Sequence, residues 1–358
     1  MSRWLSSAAL GALLALAPMT ARSADPGVTP DKITFGQAAA LQGPASALGT
    51  GMRDGITAAF NEANRSGGVS GRKLELISRD DGYEPIKSID ATRQLLNEDK
   101  VFALIGPVGT PISAATQPIA AEAGVPFIGP FTGAEFLRNP FKPNVINVRA
   151  SYFQETETMV AHLTADLGVS RVAILYQDDA YGRAGLAGVQ RALDKRGMKL
   201  VAAGTYERNT TAVKSAVLAI KKGDPQAVIM IGAYKPCAEF IRLARMIKMN
   251  PLFLNISFVG AETLAKELGP AGAGVMITEV VPFPADGSSE LVKRYQAALK
   301  ASSPNDQPSF ISLEGCVVGR VAAAALARVH GEPSRAAFLN AVFQGGLFDL
   351  GGMTPALG

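Results

Sequence analysis

Short apolar runs alternate with helix-patterned segments along most of the chain. The apolar runs are 32–40 (KITFGQAAA), 74–80, 101–106, 126–129 and 145–149, then 171–177, 199–206, 227–232, 252–256 and 275–281. Most lack the polar–apolar alternation of a half-exposed strand, which marks strands covered on both faces. Between them, apolar residues recur at helical spacing over 47–64, 85–98, 112–123, 153–167, 183–196, 211–222 and 237–248. This alternation predicts an α/β protein with parallel sheets. The punctuation agrees. Ser151 with Gln154, and Thr132 with Glu135, have capping-box spacing, and Phe131 and Phe136 stand where a hydrophobic staple would flank the second. Pro111 and Pro236 occupy plausible first helical positions, and Gly168 and Gly197 plausible helix ends.

The first residues break the pattern. Arg3 precedes an apolar stretch, AALGALLALA (8–17), and then a small, polar end, MTARSADP. Ala21 and Ser23 fit a cleavage pattern, so residues 1–23 read as a secretory signal peptide cut after Ser23, with Ala24 next best. No later stretch reads as a membrane span; the Ala-rich run 321–327 is bounded by Arg320 and Arg328. The remaining length exceeds what one core usually holds, so two domains are expected. A weak internal likeness supports this: LIGPVGTPISAA (104–115) and IMIGAYKPCAEF (229–240) each run strand, Gly, short loop and Pro-containing helix start. The Pro- and Ser-rich segment 279–310 is where the chain could cross between two such units.

Composition narrows the function. The chain of 358 residues has 35 Lys and Arg against 31 Asp and Glu, with no basic block, so nucleic acid is not implied. Two His and two Cys, far apart, form no recognisable metal cluster. Cys237 and Cys316 are expected as buried thiols without a bridge. No G-x-S-x-G elbow is present. The glycines of GTGMRDG (49–55) lack phosphate-loop spacing and read as close helix packing. Asp80–Asp81 and Asp178–Asp179 stand at strand ends, where neighbours point to opposite faces, so they read as turn formers or loop caps. In open α/β sheets ligands bind at the carboxyl ends of strands. Those positions hold Thr110, the run Phe131-Thr132-Gly133, Tyr181, Tyr234 and Ser257-Phe258. Threonines at helix N-termini suit an anion such as a carboxylate, although each taken singly also reads as a plain N-cap. The tyrosines add aromatic surface and phenol donors. This is a small-molecule clamp rather than a reaction centre.

Several motifs in order make the chain recognisable: the stretch 33–76, DDGYEP (80–85), IGPVGTPISAATQP (105–118), VPFIGPFTGAEF (125–136), VAILYQDDAYGRAG (172–185) and VIMIGAYKPCAEFIRLAR (228–245). Over about residues 30 to 350 it resembles the solute-binding proteins of ABC importers, of the leucine/isoleucine/valine-binding type. The resemblance implies a type I periplasmic binding protein fold: two Rossmann-like αβα lobes joined by a three-strand hinge, with a ligand cleft between them. Lobe one would hold 24–149 plus 281–335, and lobe two 150–280 plus 336–358. It implies a periplasmic receptor without catalysis, cofactor or metal, a monomer that closes on its ligand and serves a membrane permease. By position, Thr110 and Phe131 to Gly133 match contacts to the ligand carboxylate, Leu48 a lip residue of lobe one, and Tyr181 and Tyr234 the tyrosines of lobe two. Two departures stand out. Ser257 occupies the place where amino-acid binders have a Glu for the ligand ammonium, so a carboxylate without an ammonium, an aromatic or keto acid, is expected to bind better than aliphatic amino acids. The chain also ends at Gly358, earlier than the resemblance leads one to expect. A ligand-sensing ectodomain and an exported hydrolase using an Asp pair are the alternative readings.

Overall fold

A computed structural model describes residues 24–346 and 348–350; the signal-peptide reading of 1–23 lies outside them. Two parallel five-stranded sheets organise the chain. The first has the order β2-β1-β3-β4-β5, from β1 (Lys32–Ala39), β2 (Lys73–Asp80), β3 (Ala103–Ile105), β4 (Phe127–Ile128) and β5 (Val145–Ile146). The second has the order β10-β9-β8-β6-β7, from β6 (Val172–Gln177), β7 (Ala202–Tyr206), β8 (Ala227–Ile231), β9 (Leu252–Asn255) and β10 (Met276–Ile277). Every residue of β8 and all but Lys32 of β1 are buried, as strands covered on both faces must be. The apolar runs 145–149 and 275–281 pair over two residues each, because beyond them the backbone leaves its sheet for the other lobe.

Helices cover both faces of each sheet. In lobe one, α1 (Ser46–Arg65) packs with α9 (Glu290–Ser302) and α10 (Phe310–Ala327), while α2 (Pro85–Asn97) packs with α3 (Thr110–Glu122). In lobe two, α4 (Tyr152–Ala161) packs with α5 (Ala180–Asp194); α6 (Lys214–Lys221), α7 (Tyr234–Met246) and α8 (Ala261–Leu268) pack in succession. Helix α10 is long and apolar enough to cross a membrane, yet most of it is buried inside the fold, as a core helix is. Cys237 and Cys316 are buried free thiols in different lobes.

Two expectations need correction. Residues 336–343 do not belong to lobe two. They form α11 (Arg335–Phe343), whose Phe338 ring meets Phe102 edge-on at 5.7 Å. Arg335 donates to the carbonyls of Val101 and Phe102 at 2.9 Å, so apolar burial and carbonyl capping hold α11 on lobe one. Among the described residues the chain passes between lobes after β5 and after β10. The Thr132–Glu135 capping box does not form: Glu135–Leu137 is one 3-10 turn led by Ala134, and Thr132 caps the Ala134 N–H instead. The Ser151–Gln154 box is present in full.

The glycines of GTGMRDG act through packing. A Cβ on Gly49 would lie 1.9 Å from the Ala40 carbonyl oxygen, and one on Gly55 2.0 Å from that of Ser312. They let α1 sit directly on the end of β1 and on α10. Gly55→Ala gains about 1 kcal/mol of helix propensity, but overpacking at a backbone contact costs about 1–3 kcal/mol. Urea unfolding should show a lower midpoint with an unchanged slope; a raised midpoint would mean that α1 and α10 part freely.

Candidate functional site

The lobes face each other across the carboxyl ends of their strands. In lobe one the loop after β3 turns at Gly109, with φ 101°. A Cβ there would lie 2.4 Å from the Tyr83 ring, so only glycine allows both the turn and the ring. Gly109 is the residue before α3, and Thr110 begins it. Neither threonine caps α3. Their hydroxyls meet instead at 2.7 Å, and Thr132 donates to the Tyr152 hydroxyl at 3.3 Å. Tyr152 begins α4 in the other lobe, and its N–H donates to the Gly133 carbonyl at 2.7 Å. Burial raises the Tyr152 phenol to about 12, against the pull of Arg149, so it stays neutral. Three buried hydroxyls thus converge beside the N-terminus of a thirteen-residue helix, where the dipole favours negative charge.

Aromatic rings from both lobes fill the centre. Phe258, in the 3-10 turn after β9, lies 4.4 Å from Tyr181, 5.3 Å from Phe131 and 6.1 Å from Tyr83 between ring centroids. Tyr152 and Tyr181 are 5.6 Å apart. Leu48 and Tyr234 stand to one side: the Ala47 N–H donates to the Tyr234 hydroxyl at 3.4 Å, and both side chains border Gly260. The structure therefore brings Thr110, Phe131, Thr132, Gly133, Tyr181 and Phe258 together and sets Leu48 and Tyr234 near each other to one side.

Ser257 belongs to a buried charge network at the hinge. Its hydroxyl accepts from Arg149 Nη2, and its N–H donates to Glu155 at 3.0 Å. The Arg149 side chain is 1% exposed, lies 3.5 Å from Glu314 and stacks 4.5 Å from the Phe131 centroid. Burial raises Glu314 to about 7, against the pull of Arg149. Burial and then nearby Glu262 raise Glu279 to about 9. Sequence reading missed this network. Its one visible sign is Glu314 inside the apolar run of α10, since a glutamate is almost never fully buried unless paired.

A second set closes the far mouth. Arg208 donates to Glu84 at 2.9 Å and to Asp179 at 3.0 Å. Asn209 donates to Glu84 at 2.7 Å and to the Gly82 carbonyl at 3.1 Å. Asn209 and Tyr83 both have φ 61°, a costly conformation for non-glycine residues that their contacts maintain. Three of the four paired aspartates hold backbone N–H groups. Asp80 accepts from the N–H groups of Leu41, Gln42 and Gly82, and Asp179 caps α5. Asp178 pairs with exposed Arg183. Buried Asp81, raised to about 6 by desolvation, accepts from Ser88 and the Tyr83 N–H.

Two tests follow from these networks. Glu314 and Glu279 are both raised in the fold. Their contribution is fully present below the ordinary value of 4.5 and is lost as pH rises through about 7 and about 9. Glu279→Gln removes one titration, so its stability relative to wild type should rise between about pH 5 and about pH 9 in urea unfolding; parallel profiles would show that Glu279 does not titrate there. Arg208→Ala should cost only about 0.2–1 kcal/mol of stability because the pair is partly exposed. It should nevertheless enlarge the radius of gyration in small-angle scattering without added ligand. An unchanged radius would show that the mouth contacts do not hold the lobes together.

Comparison with known proteins agrees with this architecture. The periplasmic binding protein family model matches residues 32–357. The Leu/Ile/Val-binding protein BraC3 of Rhizobium johnstonii is 29% identical over 265 residues, 72% of this chain and 66% of that one. This chain thus spans somewhat under two thirds of that relative's length, and 54% of the Leu/Ile/Val-binding protein homolog 3 of Brucella melitensis. The crystal structure of a possible leucine/isoleucine/valine-binding protein from Rhodopirellula baltica superposes with a TM-score of 0.87 at 40% identity, covering 90% of this chain and 89% of that one. A substrate-binding periplasmic protein from Ralstonia solanacearum gives 0.85 at 30% identity, covering 90% and 91%. With two parallel-sheet lobes meeting at their strand ends and a family match across nearly the whole described chain, this protein belongs to the periplasmic binding protein family.

Proposed function

We propose that this chain is an extracytoplasmic solute receptor that closes on a small carboxylate-bearing ligand and delivers it to the membrane permease of an ABC importer. The observation that carries the reading is the hydroxyl cluster of Thr110, Thr132 and Tyr152, contributed by both lobes beside the N-terminus of α3. A carboxylate there would accept from all three hydroxyls, and contacts from both lobes would favour the closed arrangement. No covalent chemistry is assigned to these groups. The relatives' names point to leucine, isoleucine and valine as their ligands. In this chain an ammonium at position 257 would meet the guanidinium of Arg149 on the Ser257 hydroxyl, while the nearby Glu155 carboxylate is already engaged by the Ser257 N–H and the Thr278 hydroxyl. That favours an aromatic or keto acid over an α-amino acid.

Thr110→Ala should lower affinity for the ligand recovered from purified, denatured protein by roughly ten- to a hundredfold, the worth of one hydrogen bond to a charged group. Calorimetry on the refolded protein checks it, and wild-type affinity would place the carboxylate elsewhere. In a thermal-shift panel, 2-oxo acids should raise the midpoint more than leucine, isoleucine and valine; the reverse order would return the ligand to the amino acids.

A further inference from the structure

A groove of about 350 Å³ runs between α3 and α5, with Thr110 and Tyr152 among its lining residues. Both lobes build it. Ala114 and Phe136 come from lobe one, Phe153 and Ala184 from lobe two, and its surface is mostly apolar. Leu48, Tyr234 and Phe258 do not line it. We infer that this groove is the subsite for the apolar or aromatic tail of the ligand, whose carboxylate sits on the hydroxyls of Thr110, Thr132 and Tyr152. The inference rests on the carboxylate reading above and adds where the rest of the molecule goes.

Three observations lead there. First, the centre of the cleft is occupied by rings already in contact, Phe258 against Tyr181, Phe131 and Tyr83. A ligand body cannot share that space without driving the rings apart, whereas the groove is lined by Thr110 and Tyr152 of the hydroxyl cluster. Second, the groove is continuous with the anion-favouring end of α3, so a carboxylate at that end directs the remainder of the ligand outward between the helices. Third, its walls match an apolar body. Phe136, Phe153 and the Tyr152 ring offer aromatic surface, and the alanines of α5, at 180, 184 and 187, keep the opposite wall low. Its volume is in the usual range for a small-molecule pocket. Two charged residues also line it: Arg183, which pairs with Asp178 at 3.0 Å, and Glu135. The ligand class is therefore a monocarboxylate with an apolar or aromatic tail. Because the walls come from both lobes, tail burial adds to the closed state in proportion to tail size.

Calorimetry with pyruvate, 4-methyl-2-oxopentanoate and phenylpyruvate tests this on the mature chain, in wild type, Ala184→Phe and Thr110→Ala. Wild-type affinity should rise by about tenfold or more from pyruvate to the two larger acids, as apolar area is buried. Ala184→Phe fills the groove and should lower phenylpyruvate affinity by about tenfold or more while pyruvate changes by less than about twofold. If Ala184→Phe does not fold, Ala187→Phe carries the same test from the exposed rim. Unchanged phenylpyruvate affinity in a folded groove variant, with binding weakened by Thr110→Ala, would overturn the groove and leave the carboxylate site standing. Binding indifferent to Thr110→Ala, or no binding of any of the three acids, would overturn the carboxylate reading and the groove with it.

Discussion

The arrangement of the two lobes depends on one buried cation. Arg149 leaves β5 where the chain passes to lobe two, and its side chain is almost wholly out of water. A charge so placed is tolerable only while its partners stay near; losing one costs about 3–5 kcal/mol in comparable buried pairs. Those partners come from three directions: Glu314 from α10, Ser257 from the turn after β9, and the Phe131 ring from the loop after β4. Glu155, from α4, completes the set by holding the Ser257 N–H and the Thr278 hydroxyl. One ion thereby fixes the relation between the lobe-one core helix, the crossing strand and the turn that carries Phe258.

The candidate site inherits its geometry from this anchor. Phe131 has Arg149 beside it and Phe258 within ring contact, and the next residue, Thr132, carries the hydroxyl that meets Thr110 and Tyr152. Small residues allow the close approach: Gly109 admits the Tyr83 ring, and a Cβ on Gly133 would lie 2.7 Å from Tyr152. The far mouth is held differently. Arg208 and Asn209 bind Glu84 and the Gly82 carbonyl through partly exposed groups. Water can replace such contacts cheaply, whereas it cannot reach those of Arg149 while the surrounding elements stay packed.

The alternation of apolar runs and helical patterns determined two parallel-sheet lobes, because each element shows in its own residues which faces must be buried. The same local logic made the role of Gly49 and Gly55 legible, and placed Thr110, Phe131, Thr132, Tyr181 and Phe258 at strand ends on the cleft. Tertiary structure alone decided what those residues touch. Thr110 turned from helix capping to another hydroxyl, Thr132 capped a 3-10 turn, and α11 joined lobe one through Phe102. Arg149, Glu314, Arg208 and Glu84 gave almost no sign beyond one glutamate in an apolar helix. Apolar burial is non-directional and follows from spacing along the chain. Charge pairing and hydrogen bonding depend on distance and direction between groups on separate elements, and those are set only when the elements pack.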